Sequence, residues 1–191
     1  MRLSERFSSA FEYAARLHAA QTRKGTPVPY VSHLLAVSSL VLEHGGDEDE
    51  AIAALLHDAV EDQGGAATAG EIRERFGDRV AEIVLGCSDT DVYPKPPWRS
   101  RKEAHLERLR SAPASVLLVS AADKLHNARG TLSEYRQQGD KVWARFNGGR
   151  EGTLWYYRAT LDLLSGRAAG PLVDELSRVV ADLEALAGHR G

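Results

Sequence analysis

The chain has 191 residues, 43% of them hydrophobic and 27% charged, which is the composition of an ordinary globular protein and enough length for one well-filled domain. Its 24 Lys and Arg against 27 Asp and Glu leave a formal charge of −3, so no overall field attracts a polyanion and nucleic-acid binding is not expected. A single cysteine, Cys87, excludes an internal disulfide framework, and the longest apolar runs, Ala51–Leu56 and Val116–Val119, fall far short of the roughly 20 residues of a membrane span.

Phe7, Phe11, Ala14, Ala15 and His18 lie three or four apart and predict a helix from about Ser4 to Ala20, with a histidine on its buried face. The N-terminus mixes charge with apolar residues and does not read as a signal peptide, so a cytoplasmic protein is expected. After the GTPVPY loop a helix runs from Ser32 and stops at Gly45-Gly46. Asp47 with Glu50 three residues on forms a capping-box pattern, which makes the acidic run Asp47–Asp49 a helix start rather than a metal site.

Thr68 with Glu71 marks a further start, leading into a helix that ends at Gly77, and Arg79 to Leu85 forms another short helix. The loop DTDVYPKPPW precedes an amphipathic helix from Trp98 to Arg110. Ala114 to Gln138 reads as one long helix, because its length and its continuation through LSEYRQQ outweigh the strand-like start SVLLVSA. A short helix at Val142–Phe146, the glycine-rich loop NGGREG, a helix from Thr153 to Leu164 and a last one from Leu172 to Leu186 complete an all-α, single-domain reading.

The chemistry concentrates in His57-Asp58-Ala59-Val60-Glu61-Asp62. On a continuous helix His57 would face Glu61 and Asp58 would face Asp62, beside the apolar run AIAALL that must be buried. Charged groups at the edge of a core need a partner or a metal. His-Asp alone more often marks a solvated helix end; His33 in an apolar helix and Asp123 within VLLVSAADKLHNA complete the set and favour a metal site. Two imidazoles and two carboxylates suit a divalent ion such as Mn²⁺, Fe²⁺ or Zn²⁺, which can activate water for phosphate-ester hydrolysis.

His33, His57-Asp58 and Asp123 together resemble the HD-domain phosphohydrolases. More narrowly, HxxQxRK at His18–Lys24, PYVSH ending at His33, LLHDAVED at Leu55–Asp62 and DKLHN at Asp123–Asn127 are similar to the hydrolase domain of the Rel/Spo proteins, which degrade the alarmones ppGpp and pppGpp. The resemblance covers about residues 5–165, with the helix at 171–187 expected to pack on it, and the length leaves no room for a synthetase domain alongside, as in the stand-alone small alarmone hydrolases.

It implies that His33, His57, Asp58 and Asp123 hold one Mn²⁺, and that Glu61 and Asp62 position or deprotonate water and protonate the leaving group. Arg23 would lie near the guanine and Lys24 near phosphate, with Asn127 reaching the nucleotide and Lys124 beside it. The reaction would remove pyrophosphate from the ribose 3′ position of a small nucleotide, without a nucleic-acid or membrane partner; oligomeric state is not expressed in the sequence.

From residue chemistry alone Asp62 could be a surface acid, Arg23-Lys24 a solvated pair, and Lys124 and Asn127 structural partners of the site; His18 and His126 read as packing residues. Lys95, Arg99, Arg101, Lys102, Arg108 and Arg110 form a second basic group that either is solvated or closes over outer phosphates, and one ring of Trp155, Tyr156 and Tyr157 could flank a base. His33-Leu34 replaces the more usual His-Pro, which touches the nucleotide pocket and spares the ligands. Two alternatives stand beside the alarmone: phosphatase action on NADPH or a nucleoside monophosphate, and a catalytically silent binding module.

Overall fold

The computed structural model describes residues 2–90 and 94–188, so Asp91, Val92 and Tyr93 of the expected proline-rich loop lie outside the described residues. The described chain is helical almost throughout: α1 (Glu5–Leu17), α2 (Val31–Glu43), α3 (Glu48–Leu56), α4 (Ala59–Gln63), α5 (Gly65–Phe76), α6 (Asp78–Cys87), α7 (Trp98–Leu109), α8 (Ala114–Gln138), a 3-10 segment (Gly139–Arg145), α9 (Gly149–Arg167) and α10 (Pro171–Gly188). Among the described residues the extended pairing is a lone bridge, Thr22 with Pro29, which closes the loop between α1 and α2. No described helix is long and apolar enough to cross a membrane.

Helix α3 is apolar on every side from Ala51 to Leu56, and all six residues are buried. A helix apolar all round belongs in the centre of a core, and α3 packs against α1, α2, α6 and α8 there. Its start is the expected capping box: the Glu50 amide donates to Asp47 Oδ1 at 3.0 Å and the Asp47 amide to Glu50 Oε2 at 2.8 Å. Helix α8 is the second organiser, touching α2, α3, α6, α9 and α10. Helix α10 lies along α8 and α9, with Arg129 paired to Glu175 and Arg158 to Glu184 across the seams.

Three expectations about local structure change. The helix expected to start at Thr68 begins at Gly65, because Gly64 and Gly65 take φ of 159° and 59° and turn the chain straight out of α4, leaving Thr68 buried inside α5. The expected NGGREG loop is largely the first turn of α9. Gly148 and Gly152 lie under the Trp98 indole, so close that a Cβ on Gly148 would fall 2.6 Å from a ring carbon; the glycines serve a helix-to-helix contact here. The third change concerns His57 and Asp58, which sit in a break between α3 and α4.

Candidate metal centre and its pocket

The break at His57-Asp58 keeps right-handed dihedrals, φ −59° and ψ −29° followed by φ −97° and ψ −4°, and the ladder resumes when the Asp62 amide donates to the Asp58 carbonyl at 3.0 Å. The four ionisable groups therefore do not stack in two helical pairs as a continuous helix would stack them. His57 and Asp58 face inward to α2 and α8, whereas Glu61 lies beside Lys95 (3.1 Å) and Asp62 accepts from Gln21 Nε2 (2.8 Å).

His33 from α2, His57 and Asp58 from the break, and Asp123 from α8 meet at one point. His33 Nε2 lies 3.6 Å from Asp58 Oδ2 and 3.2 Å from Asp123 Oδ1; His57 Nε2 lies 3.0 Å and 3.7 Å from the same two oxygens. His33, His57 and Asp58 offer donor atoms all within 4.8 Å of one another, and Asp123, outside that mutual group, reaches both imidazoles through Oδ1. Metal–ligand bonds of about 2.0–2.2 Å separate neighbouring donors by roughly 3.0–3.5 Å; two of the four spacings fall in that range and the other two, 3.6 and 3.7 Å, lie just beyond it.

Both His33 Nε2 and His57 Nε2 are buried without a hydrogen-bond partner, a costly state for a polar atom unless something else satisfies it. Their other nitrogens are engaged: His57 Nδ1 with the Ala54 carbonyl at 2.8 Å and His33 Nδ1 with His126 Nδ1 at 2.8 Å. That pattern leaves the Nε2 lone pairs facing the carboxylates, as metal-ligating histidines require. Tyr30 donates to Asp58 Oδ2 at 2.5 Å, while Lys124 and Asn127 donate to the two oxygens of Asp123. The donor set fits a divalent cation.

Burial works against charge on each member, yet Lys124 beside Asp123 and the attraction of His57 for Asp58 and Asp123 outweigh it, holding both carboxyls well below the usual carboxylate range and His57 well above its ordinary value, so that a metal bound here would take the place of a proton on His57. Burial pushes the Asp62 carboxyl up, and the nearby Asp58 charge adds to the shift. The Tyr30 hydroxyl is pushed far up by burial and by Asp58, so it stays a proton donor.

The four residues form a floor of which His57, Asp58 and Asp123 line a cavity of about 230 Å³, with His33 fully buried beneath them; the rest of the lining includes Glu61, Asp62, Lys102, Lys124 and Asn127. A wider space of about 530 Å³ adjoins it, lined by Arg23, Lys24, Trp98, Arg145, Tyr156 and Tyr157 among others. Arg23 stands at the junction, donating to Asn127 Oδ1 at 2.6 Å with its guanidinium 5.6 Å from the Tyr30 ring centre. Lys24 is on the outer rim, bonded to Asn147 Oδ1 at 3.0 Å. Of the aromatic trio, Tyr156 lines both spaces and Tyr157 the wider one, whereas Trp155 lies under Arg99.

The second basic group divides. Lys102 faces both spaces and Arg101 the wider one, Lys95 meets Glu61, and Arg99 and Arg110 turn outward to Glu103 and Glu107. His18 is buried on Tyr30 with Nδ1 bonded to Gln21, and His126 orients His33. Sequence reasoning passed over Asp89 and His105, both buried in the cavity wall; an aspartate in SDT and a histidine in a polar helix carry no periodic signal. Tyr30 and Gln21, quoted only as parts of motifs, prove to hold Asp58 and Asp62.

Comparison with known proteins places this architecture. The chain is 37% identical over 145 residues to the guanosine-3′,5′-bis(diphosphate) 3′-pyrophosphohydrolase of Aquifex aeolicus, and 36% identical over 138 residues to the bifunctional (p)ppGpp synthase/hydrolase SpoT of Escherichia coli. These alignments take in 74% and 69% of the chain but only 20% and 19% of the relatives, so it spans about a fifth of their length. A solved metazoan ortholog of SpoT, described as hydrolysing ppGpp, superimposes with a TM-score of 0.79 at 26% identity over 96% of this chain and 98% of that one. A Listeria monocytogenes crystal structure gives 0.71 at 28% identity over 82% and 99%. The HD-domain family matches residues 10–154, a span that contains all four floor residues, and the chain belongs to the HD-domain family.

Proposed function

We propose that the protein is a Mn²⁺-dependent phosphohydrolase that removes pyrophosphate from the 3′ position of guanosine 3′,5′-bis(diphosphate) (ppGpp) or its 5′-triphosphate form (pppGpp), returning GDP or GTP respectively, and that it acts on this small nucleotide in the cytoplasm. The observation that carries the reading is the pair of partnerless imidazole nitrogens meeting two carboxylates at the floor of a cavity with cations on its walls. The names of the relatives supply the substrate.

His33, His57, Asp58 and Asp123 would hold the metal, which when bound polarises a phosphoryl oxygen and brings the pKa of water toward neutrality. Glu61 takes the proton of the attacking water. Asp62, whose carboxyl is pushed up by burial and by Asp58, delivers a proton to the departing ribose oxygen. Lys102 and Lys124 face the phosphates, and Asn127 fixes Arg23 at the nucleoside end, where Tyr156 flanks the base. Lys24, out on the rim, meets the outer phosphates of the other chain. Tyr30 anchors Asp58 from behind.

Purified protein with Mn²⁺ should convert ppGpp to GDP and pyrophosphate, and His57→Ala should not. Orthophosphate released from NADPH or a nucleoside monophosphate, with ppGpp untouched, would replace this substrate by another. No turnover of any of the three would overturn the enzymatic reading itself.

A further inference from the structure

Asp89 follows α6 directly after its C-cap Ser88 and is only 5% exposed. Its Oδ2 accepts from Lys102 Nζ at 2.9 Å and from Arg101 Nη1. Arg108 pins the backbone behind it, donating to the carbonyls of Ser88 (3.0 Å) and Asp89 (2.8 Å). The Asp89 amide in turn points at Glu61 Oε2, 3.3 Å away, and Glu61 Oε1 lies 3.1 Å from Lys95 and 3.5 Å from Arg101. Lys95 also lies 4.0 Å from Asp62 Oδ1, so three cations, Lys95, Arg101 and Lys102, share three carboxylates, Glu61, Asp62 and Asp89.

Two details separate Asp89 from an ordinary structural ion pair. It lines the same cavity as Lys102, His57, Asp58 and Asp123. And its Oδ1 is buried without a hydrogen bond, although a carboxylate whose purpose is to tie a loop to a helix gains by using both oxygens. An anion entering the cavity has to share Lys102 with Asp89 and comes near a buried negative charge whose Oδ1 carries no hydrogen bond.

We propose that Asp89 is an internal counter-anion: a positioning residue that keeps Lys102 and Arg101 at the cavity wall while limiting how tightly that wall holds a polyphosphate, so that a pyrophosphate product can leave. The proposal rests on the preceding reading of the cavity as a polyanion site. Neutralising Asp89 has two opposed effects. Lys102 loses one orienting partner, which weakens binding, and the wall loses a like charge, which strengthens it. The second effect grows with the charge of the ligand because Coulomb energy is proportional to it, whereas the first concerns one hydrogen bond on a flexible side chain. For a multiply charged anion the second wins.

The test titrates inorganic pyrophosphate into the Mn²⁺-loaded protein by calorimetry, with Mn²⁺ equal in cell and syringe, and repeats it with orthophosphate. Asp89→Asn should bind pyrophosphate about fivefold tighter or better and orthophosphate with a smaller gain, following ligand charge. Lys102→Met in the Asp89→Asn background should abolish the gain, which a merely structural aspartate would not produce. Unchanged or weaker binding by Asp89→Asn, with Lys102→Met still weakening the wild type, overturns the counter-anion and leaves the polyanion site standing. Wild type and Lys102→Met binding alike, or neither binding, overturns both. If Asp89→Asn lacks a cooperative melt, Asp89→Ser takes its place with the same expected and contrary outcomes.

Discussion

The floor and the wall of the cavity are built on opposite principles. The floor draws its groups from α2, the α3–α4 break and α8, elements held by the core; α3 alone buries six consecutive residues. The wall draws on α7, whose buried residues are only His105 and Leu109 and whose main neighbour is α9. Floor groups are thus fixed by packing and pay for their burial through one another, while wall groups are fixed by ion pairs at the edge of solvent. The floor should be rigid and intolerant, the wall adjustable.

The largest expected effect breaks the floor. Asp123 holds Lys124 and Asn127 and faces both imidazoles; burial works against the Lys124 ammonium, and Asp123 is the foremost of the groups that hold it well above its ordinary value. Asp123→Ala leaves a largely buried ammonium unpaired, at a cost of about 3 kcal/mol, the lower end for a broken buried pair because the site opens to a cavity. Lys102→Met on the wall removes one charged hydrogen bond to a buried carboxylate and should cost less, about 1.5 kcal/mol, since Arg101 stays with Asp89. Urea midpoints measured in chelator compare the two directly; equal losses would dissolve the distinction.

A smaller effect tests how the floor is tuned. Tyr30→Phe removes one hydroxyl that donates to Asp58 and leaves the ring stacked on His18. Outer partners of ligating groups are typically worth ~10–100-fold in metal affinity, so Mn²⁺ or Zn²⁺ should bind that much more weakly by calorimetry while the helical signal is unchanged. Affinity equal to wild type would show that packing alone holds Asp58.

The same contrast explains what could be read from the sequence. Helix positions followed from apolar spacing, as in α1, and from a side-chain cap at Asp47 with Glu50. The floor was legible because ionisable residues stood beside apolar runs, where burial demands a partner. Thr68 misled because a cap pattern competes with a glycine turn three residues earlier, and the outcome depends on backbone dihedrals. NGGREG misled because its glycines answer to Trp98, some 50 residues upstream by the sequence numbering. The wall was least legible: WRSRKEAHLERL is polar nearly all round, so no stripe tells which bases turn inward.

The Trp98 contact offers the finest probe of the wall. Gly148→Ala puts a methyl 2.6 Å from an indole carbon, and Gly152 lies under the same ring, so the indole must move. Overpacking costs typically about 1–3 kcal/mol; Trp98 is only partly buried and can swing outward, which keeps the loss near ~1 kcal/mol. Because Trp98 opens α7, the displacement passes to Arg101 and Lys102 on the following turn and leaves His33, His57, Asp58 and Asp123 in place. The expected signature is a raised KM for the bis-diphosphate with metal affinity unchanged. A fall in metal affinity instead would mean that α7 and the floor move as one body, and the division between a rigid floor and an adjustable wall would not hold.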